Sequence, residues 1–168
     1  MQEDEPAEMQ SGWADASTPE GHKALEYSDL RALGTQTDLR PAEREIVVTL
    51  GGTMERFIWT LNGHKFGDPG FEPIKLNYGE RVRLIFKNET MMAHPMHLHG
   101  MFVQLENGQP GEMLLTADEP GEWAFHCHLL YHMSAGMMST VVVAEYDEED
   151  LPATHPAQHD MGGHHDHH

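Results

Sequence analysis

Between residues 44 and 146, hydrophobic and polar positions fall into short runs, several of them with a period of two. In Arg81–Val82–Arg83–Leu84–Ile85–Phe86 charged and apolar residues take turns at the start of the run. Successive side chains of an extended backbone point to opposite faces, so such a run predicts a strand with one buried side. Comparable runs occupy 45–50, 56–61, 73–77, 101–105, 113–116, 122–127 and 139–146. Gly51–Gly52, Asn62–Gly63 and Tyr78–Gly79 supply turn residues between the earlier ones. Many short strands divided in this way predict an all-β sandwich or barrel over residues 44–146. Residues 22–43 carry a weak helical pattern, with Leu25, Leu30 and Leu33, and are expected to form a connector that packs on a neighbour. Residues 1–21 are acidic and rich in Ser, Pro and Gly, which predicts a disordered segment. Acidic residues 147–150 close the fold, and 147–168 form an acidic tail with six histidines from His155 to His168, and Met161.

A hydrophobic content of 39% fits a modest core with disordered ends. The formal charge of −18 is unevenly placed, because all ten Lys and Arg lie between Lys23 and Lys87. The second half is therefore an anionic field that holds nearly all the histidines. Such a field repels nucleic acid and attracts small cations, although a solubilising acidic surface explains the charge as well. No apolar run is long enough to span a bilayer, and no secretory leader pattern precedes Lys23, the first basic residue. The His-rich tail suits loose metal gathering, or is simply a tail. Cys127 is the only cysteine, so an intramolecular disulfide is impossible. A lone cysteine is commonly a small buried hydrophobe, but here both neighbours are histidine, which points to metal ligation.

Two motifs carry the chemistry: His94–Pro95–Met96–His97–Leu98–His99, and His126–Cys127–His128 followed by His132 and Met137. On an extended strand, His126 and His128 share one face while Cys127 takes the other. His97 and His99 likewise share a face. His94 is an odd number of residues away, and Pro95 favours extended geometry in its predecessor, so His94 turns to the opposite side. Two ligand groups follow. One holds His94 and Cys127, joined by His132 and Met137 from the loop after the strand. Two imidazoles, a thiolate and a thioether make the ligand list of a blue-copper electron-transfer site. The other group is four imidazoles, His97, His99, His126 and His128, suited to several coppers that bind dioxygen. Cys127 and its two neighbours would link the groups covalently.

Simpler explanations fit less well. One His-x-His alone is as readily a zinc pair or a coincidence on a strand face. A cupin also opens with His-x-His but wants a Glu soon after, and here Gly100–Met101–Phe102–Val103–Gln104 follows His99. A Cys/His zinc site has no use for a methionine placed like Met137. Methionines 91, 92, 96, 101, 133 and 138 cluster around the motifs as well. We read most of them as packing, with a few exposed thioethers suited to Cu(I).

At these motifs the chain resembles the C-terminal domain of bacterial copper-resistance multicopper oxidases, the copper-resistance protein A group. The resemblance runs from about His22 to Tyr146. Residues 90–101 (Thr-Met-Met-Ala-His-Pro-Met-His-Leu-His-Gly-Met) and 123–133 (Trp-Ala-Phe-His-Cys-His-Leu-Leu-Tyr-His-Met) carry it, with Met54–Glu55–Arg56 and Trp59–Thr60–Leu61–Asn62–Gly63 in support. It implies a cupredoxin-like Greek-key sandwich or barrel, four coppers, and one-electron oxidation of a substrate coupled to reduction of dioxygen to water. It assigns type 1 copper to His94, Cys127, His132 and Met137, type 2 copper to His97, and the type 3 pair to His99, His126 and His128. It also implies a periplasmic location and a reducing substrate such as Cu(I) or a phenol.

The chain departs from that pattern in two places. The family takes the other trinuclear histidines from an N-terminal domain, and no further His-x-His precedes His94; His22 and His64 stand alone. Cupredoxin domains on another chain, or another copy, are the expected partners. The stretch 107–118 is also short, lacking the family's basic segment and a strand, which is expected to expose sheet edge and core. Three functions remain open at this point: an oxidase component, a copper-binding electron-transfer module without dioxygen chemistry, and a copper-buffering protein.

Overall fold

Side-chain alternation, turn chemistry and one buried ion pair account for most of the architecture. The computed structural model describes residues 18–25, 29–30, 33–34, 37–53, 55–105 and 111–151. Expectations for the 1–21 segment up to residue 17, for the tail beyond residue 151, and for a helix across 26–28 and 31–32 lie outside the described residues. Among the described residues nine strands follow in order: β1 (Arg44–Thr53), β2 (Ile58–Leu61), β3 (Ile74–Asn77), β4 (Arg81–Asn88), β5 (Met96–Leu98), β6 (Val103–Leu105), β7 (Glu112–Thr116), β8 (Gly121–Cys127) and β9 (Met138–Ala144). A one-turn helix α1 (Leu130–Ser134) lies between β8 and β9, and a 3-10 turn (Glu148–Asp150) follows β9.

The strands form two sheets, ordered β2-β1-β4-β7-β6 and β3-β9-β8-β5. The chain crosses repeatedly between them, which makes β1 parallel to β4 and β3 parallel to β9, while the other neighbours are antiparallel. Their inner faces meet in one buried cluster. Val48, Leu50, Trp59, Leu61, Val82, Leu84 and Leu115 come from the first sheet, and Leu76, Phe125, Cys127, Val141 and Val143 from the second. Burial alternates cleanly along β2, β3 and β9. That is the period-two pattern of strands with one face in a core.

The turns take the residues their geometry requires. Asn62 and Gly63 both have positive φ, 51° and 81°, and Leu61 and His64 exchange backbone hydrogen bonds of 3.1 Å across them. This is the two-residue turn that matches strand twist and favours Asn-Gly. The expected strand at 56–61 is shorter, beginning at Ile58, and that at 101–105 begins at Val103. β5 was not among the expected strands, and α1 stands where a plain loop was expected. β6 is an outer strand beside the short 107–118 stretch; Val103 is partly exposed there and Phe102 almost fully.

At the end of the sandwich bearing the β3–β4 turn, Glu80 accepts from Arg44 Nε at 2.6 Å and Arg44 Nη2 at 2.8 Å. It also accepts from the Asn77 backbone N–H at 3.0 Å, and Arg44 Nη2 donates to the Lys75 carbonyl at 2.9 Å. Both side chains are buried, so the fork clamps the start of β1 to the β3–β4 turn. Removing one partner strands the other charge away from water. Glu80→Ala should therefore lower the unfolding free energy by about 3–5 kcal/mol, read by urea denaturation. A loss below about 1 kcal/mol, the ordinary worth of a solvated surface pair, would show that the clamp is not desolvated.

Candidate metal centre

The pairing of β5 with β8 positions both histidine motifs. Met96 lies opposite Cys127, His97 opposite His126, and Leu98 opposite Phe125. Directly paired residues of an antiparallel ladder share a face. Phe125 and Cys127 are fully buried, and Met96 and Leu98 pack against the core beside them. His97 and His126 consequently point to the other side. The pairing continues beyond the strands, through His99 N–H to the Ala124 carbonyl at 3.0 Å and His128 N–H to the Pro95 carbonyl at 2.7 Å.

On the core side, three ligand atoms converge. His94 Nδ1 and His132 Nδ1 are 3.1 Å apart, and Cys127 Sγ is 3.9 Å from the first and 3.8 Å from the second. A point equidistant from all three lies about 2.1 Å from each, within the usual range of metal–imidazole and metal–thiolate bonds. These residues therefore fit a mononuclear thiolate-bound metal. The segment after Cys127 builds the triangle. It winds into α1, which carries His132, and returns so that Met137 N–H donates to the His132 carbonyl at 2.9 Å and Cys127 N–H to the Met137 carbonyl at 3.1 Å. Met137 is fully buried. Gly136 makes the return possible: its φ is +122°, and a Cβ there would lie 2.7 Å from the Trp59 carbonyl.

On the opposite side, His97, His99, His126 and His128 gather without collapsing into one mononuclear set. Ring centroids are 4.6 Å apart for His97–His99, 5.5 Å for both His97–His126 and His97–His128, and 5.2 Å for His99–His126. His99 Nε2 and His126 Nε2 are 3.0 Å apart. His126 is buried, whereas His97, His99 and His128 are exposed. Among the described residues, the mononuclear triangle is the one group of three or more candidate ligands with all donor atoms within 4.8 Å of one another.

Burial pulls His94 below the ordinary imidazole value, with His132 adding to the effect, and burial alone does the same to His132. His97 is lowered too, first by desolvation and then by the three neighbouring imidazoles. Burial pushes the Cys127 thiol up, against an opposing hydrogen bond from the Leu129 backbone. At neutral pH His94 and His132 thus keep a free lone pair each, while the Cys127 thiol keeps its proton until a metal displaces it. Metal uptake at the triangle therefore releases a proton and tightens as pH rises.

Trp59 contributes in a way that spacing along the chain does not reveal. Its indole stacks on His132 at 4.0 Å with planes 28° apart and meets His94 edge-on at 5.3 Å. Gly52 on the paired strand leaves room for that ring, since a Cβ there would lie 2.5 Å from Trp59 Cε3. Gly100 plays the same part on the other side. It has φ +80°, and its Cα lies against the indole of Trp123, which donates to the Glu119 carbonyl at 2.9 Å.

Residues 39–113 and 102–147 match the sequence profile of the family described as multicopper oxidase, and the chain belongs to that family. A copper resistance protein A homolog of Pseudomonas syringae pv. tomato is 46% identical over 141 residues, covering 74% of this chain and 24% of the relative. Copper resistance protein A of Escherichia coli is 43% identical over 141 residues, covering 74% and 23%. The crystal structure of the multicopper oxidase McoA from Aquifex aeolicus superposes with a TM-score of 0.51 at 24% identity, over 65% of this chain and 31% of that one, and shares the cupredoxin fold. The chain spans about a quarter of the length of the curated relatives it matches. Copper is the metal of the family, and the His94–Cys127–His132 group is able to bind one.

The Gly100–Trp123 contact has a measurable consequence. In Gly100→Ala the new methyl would lie 2.3 Å from the indole and the residue would hold a strained backbone. We expect a loss of about 1–3 kcal/mol in unfolding free energy with displaced His99 ring resonances. Unchanged stability and unchanged resonances would show that the turn is not held by this contact.

Proposed function

We propose that this chain is the terminal copper-binding domain of a multicopper oxidase, taking electrons from a reducing substrate at one site and presenting half of a dioxygen-reducing cluster on the other. The observation that carries this is the back-to-back arrangement of the triangle and the four imidazoles on either side of the β5–β8 pair. His94, Cys127, His132 and Met137 would hold type 1 copper through two imidazoles, a thiolate and a thioether. His97 would serve type 2 copper, and His99, His126 and His128 the type 3 pair. Bound copper would supply one-electron transfer at the first site and dioxygen reduction at the second.

The chain's own residues have definite parts in this scheme. Cys127 gives up its proton and offers a thiolate inside the core, where water is excluded. Trp59 packs over His132 and His94 and closes that side of the site. Peptide bonds tie Cys127 directly to His126 and His128, giving a covalent path between the two groups. The exposed imidazoles need complementary histidines, which we assign to cupredoxin domains on another polypeptide segment or another copy of the chain. A periplasmic setting, and Cu(I) or a phenol as electron donor, fit the resemblance to copper-resistance oxidases. Among the described residues no helix is long and apolar enough to cross a membrane.

The half-set of histidines favours a second reading for the chain by itself: a copper-binding electron-transfer module, or a copper buffer, without oxidase turnover. Loading with copper tests the first site. We expect an intense blue thiolate-to-copper absorption that Cys127→Ser abolishes; a colourless loaded protein would sink the type 1 assignment. Oxygen uptake with Cu(I) or a phenol should be essentially absent for the purified chain. Robust turnover would mean that self-association completes the cluster. Truncation after Asp150 should leave the blue site intact, and loss of most bound copper on truncation would favour buffering by the tail.

A further inference from the structure

The segment between β4 and β5 carries a hydrogen-bonded assembly that ends on a ligand of the mononuclear site. Thr90 Oγ1 lies 2.6 Å from His94 Nε2 and 2.8 Å from Asn88 Oδ1. The Met92 backbone N–H donates to the same hydroxyl at 3.2 Å, and Asn88 Nδ2 donates to the Met92 carbonyl at 2.7 Å. Asn88 Oδ1 also accepts from the Thr90 backbone N–H at 3.0 Å. This small closed network is tied to the first sheet, because Glu89 N–H donates to the Leu50 carbonyl at 2.9 Å.

The protons can be placed by elimination. His94 Nδ1 is the nitrogen that faces Cys127 Sγ and His132 Nδ1, so it must keep its lone pair to bind a metal there. A neutral imidazole has one N–H, and it then resides on Nε2. Thr90 Oγ1 is placed to accept it. The hydroxyl's own proton goes to Asn88 Oδ1 at 2.8 Å, with the Met92 carbonyl as a longer second acceptor at 3.2 Å. The three groups then form a directed chain from His94 through Thr90 to Asn88. A ring N–H held by an outer partner fixes both tautomer and ring orientation, and raises the basicity of the nitrogen that faces the metal.

We propose that Thr90, oriented by Asn88, is a positioning residue that holds His94 in the Nε2–H tautomer and strengthens Nδ1 as a donor to copper. The inference rests on the reading of His94, Cys127 and His132 as a copper site. It concerns a residue that touches neither the metal position nor substrate. Outer partners of this kind typically change metal affinity 10- to 100-fold. A weaker donor at Nδ1 stabilises Cu(II) less than Cu(I), so loss of the hydroxyl should also raise the reduction potential.

The experiment uses the full chain in two states. In the metal-free protein, nitrogen NMR of His94, identified by loss of its signals in His94→Asn, should show the Nε2–H tautomer; Nδ1–H at His94 in the wild type would overturn the proposal. In the copper-loaded protein, Thr90→Val should weaken Cu(II) binding about 10- to 100-fold and raise the potential, with Thr90→Ser close to wild type. Thr90→Ala reads the same loss should the valine variant not fold. A wild-type affinity and potential in both hydroxyl-free variants would also overturn it. A wild-type chain that takes up no blue copper sinks the site reading instead, and the metal-free tautomer then still decides the Thr90 contact.

Discussion

The register between β5 and β8 is the constraint on which the rest of the site depends. With His97 opposite His126 and Met96 opposite Cys127, the Cys127 sulfur and the imidazoles of His97 and His126 fall on opposite faces of the sheet. A slip of one residue would exchange those faces. It would put imidazoles into the core and Cys127 outside, together with Phe125. Burying unpaired polar rings while exposing an aromatic one is unfavourable on both counts. The core therefore enforces the separation of the ligand groups: Phe125 and Cys127 are inside because the sandwich closes over that face.

Three segments bring side chains to the mononuclear triangle, and each is held independently of any metal. The Cys127–Met137 segment is closed by the Cys127 N–H bond to the Met137 carbonyl, by the Met137 N–H bond to the His132 carbonyl, and by a glycine where no Cβ fits. β2 brings Trp59 against both imidazoles, with Gly52 leaving room for the ring. The residues before β5 bring His94, on a turn anchored to β1. Holding ligand atoms near their working distances in this way lessens the reorganisation required when a metal arrives and when it changes oxidation state. The triangle can be small and regular because the sandwich around it supplies the rigidity.

Much of this was legible in the sequence because it follows from parity. Alternation along His126–Cys127–His128 and the odd offset of His94 need nothing beyond an extended backbone. The sandwich class followed from short runs and turn residues, and the Asn62–Gly63 turn from its φ requirements. What escaped was short or tertiary. β5 has only three residues between a proline and a glycine turn, too few for a period to register. α1 has five, and its helical form comes from closing the segment back onto Cys127. Trp59 lies more than thirty residues from His94 and more than seventy from His132, so its stacking arises from strand order, which local pattern does not fix. Thr90 was read as part of a family motif, without the hydrogen bond that gives it a role.

The two ligand groups differ in how far this chain completes them, and burial shows why. Cys127, His132 and Met137 are buried, and His94 is partly so, within one cupredoxin unit; on the proposed assignment that unit would supply every donor of the mononuclear site. His97, His99 and His128 face solvent, and only His126 of that group is enclosed. Imidazoles held rigidly at an open face can direct several lone pairs outward, but they cannot surround a cluster from one side. On the proposed function, completion would come from a surface that docks against this face and carries donors of its own. That same docking would exclude water from the face. Cys127 is joined to His126 and His128 by peptide bonds, so on the proposed function a covalent path would join the two groups before the second is complete. On the proposed function, the fold would keep electron transfer within the domain and leave dioxygen chemistry to assembly.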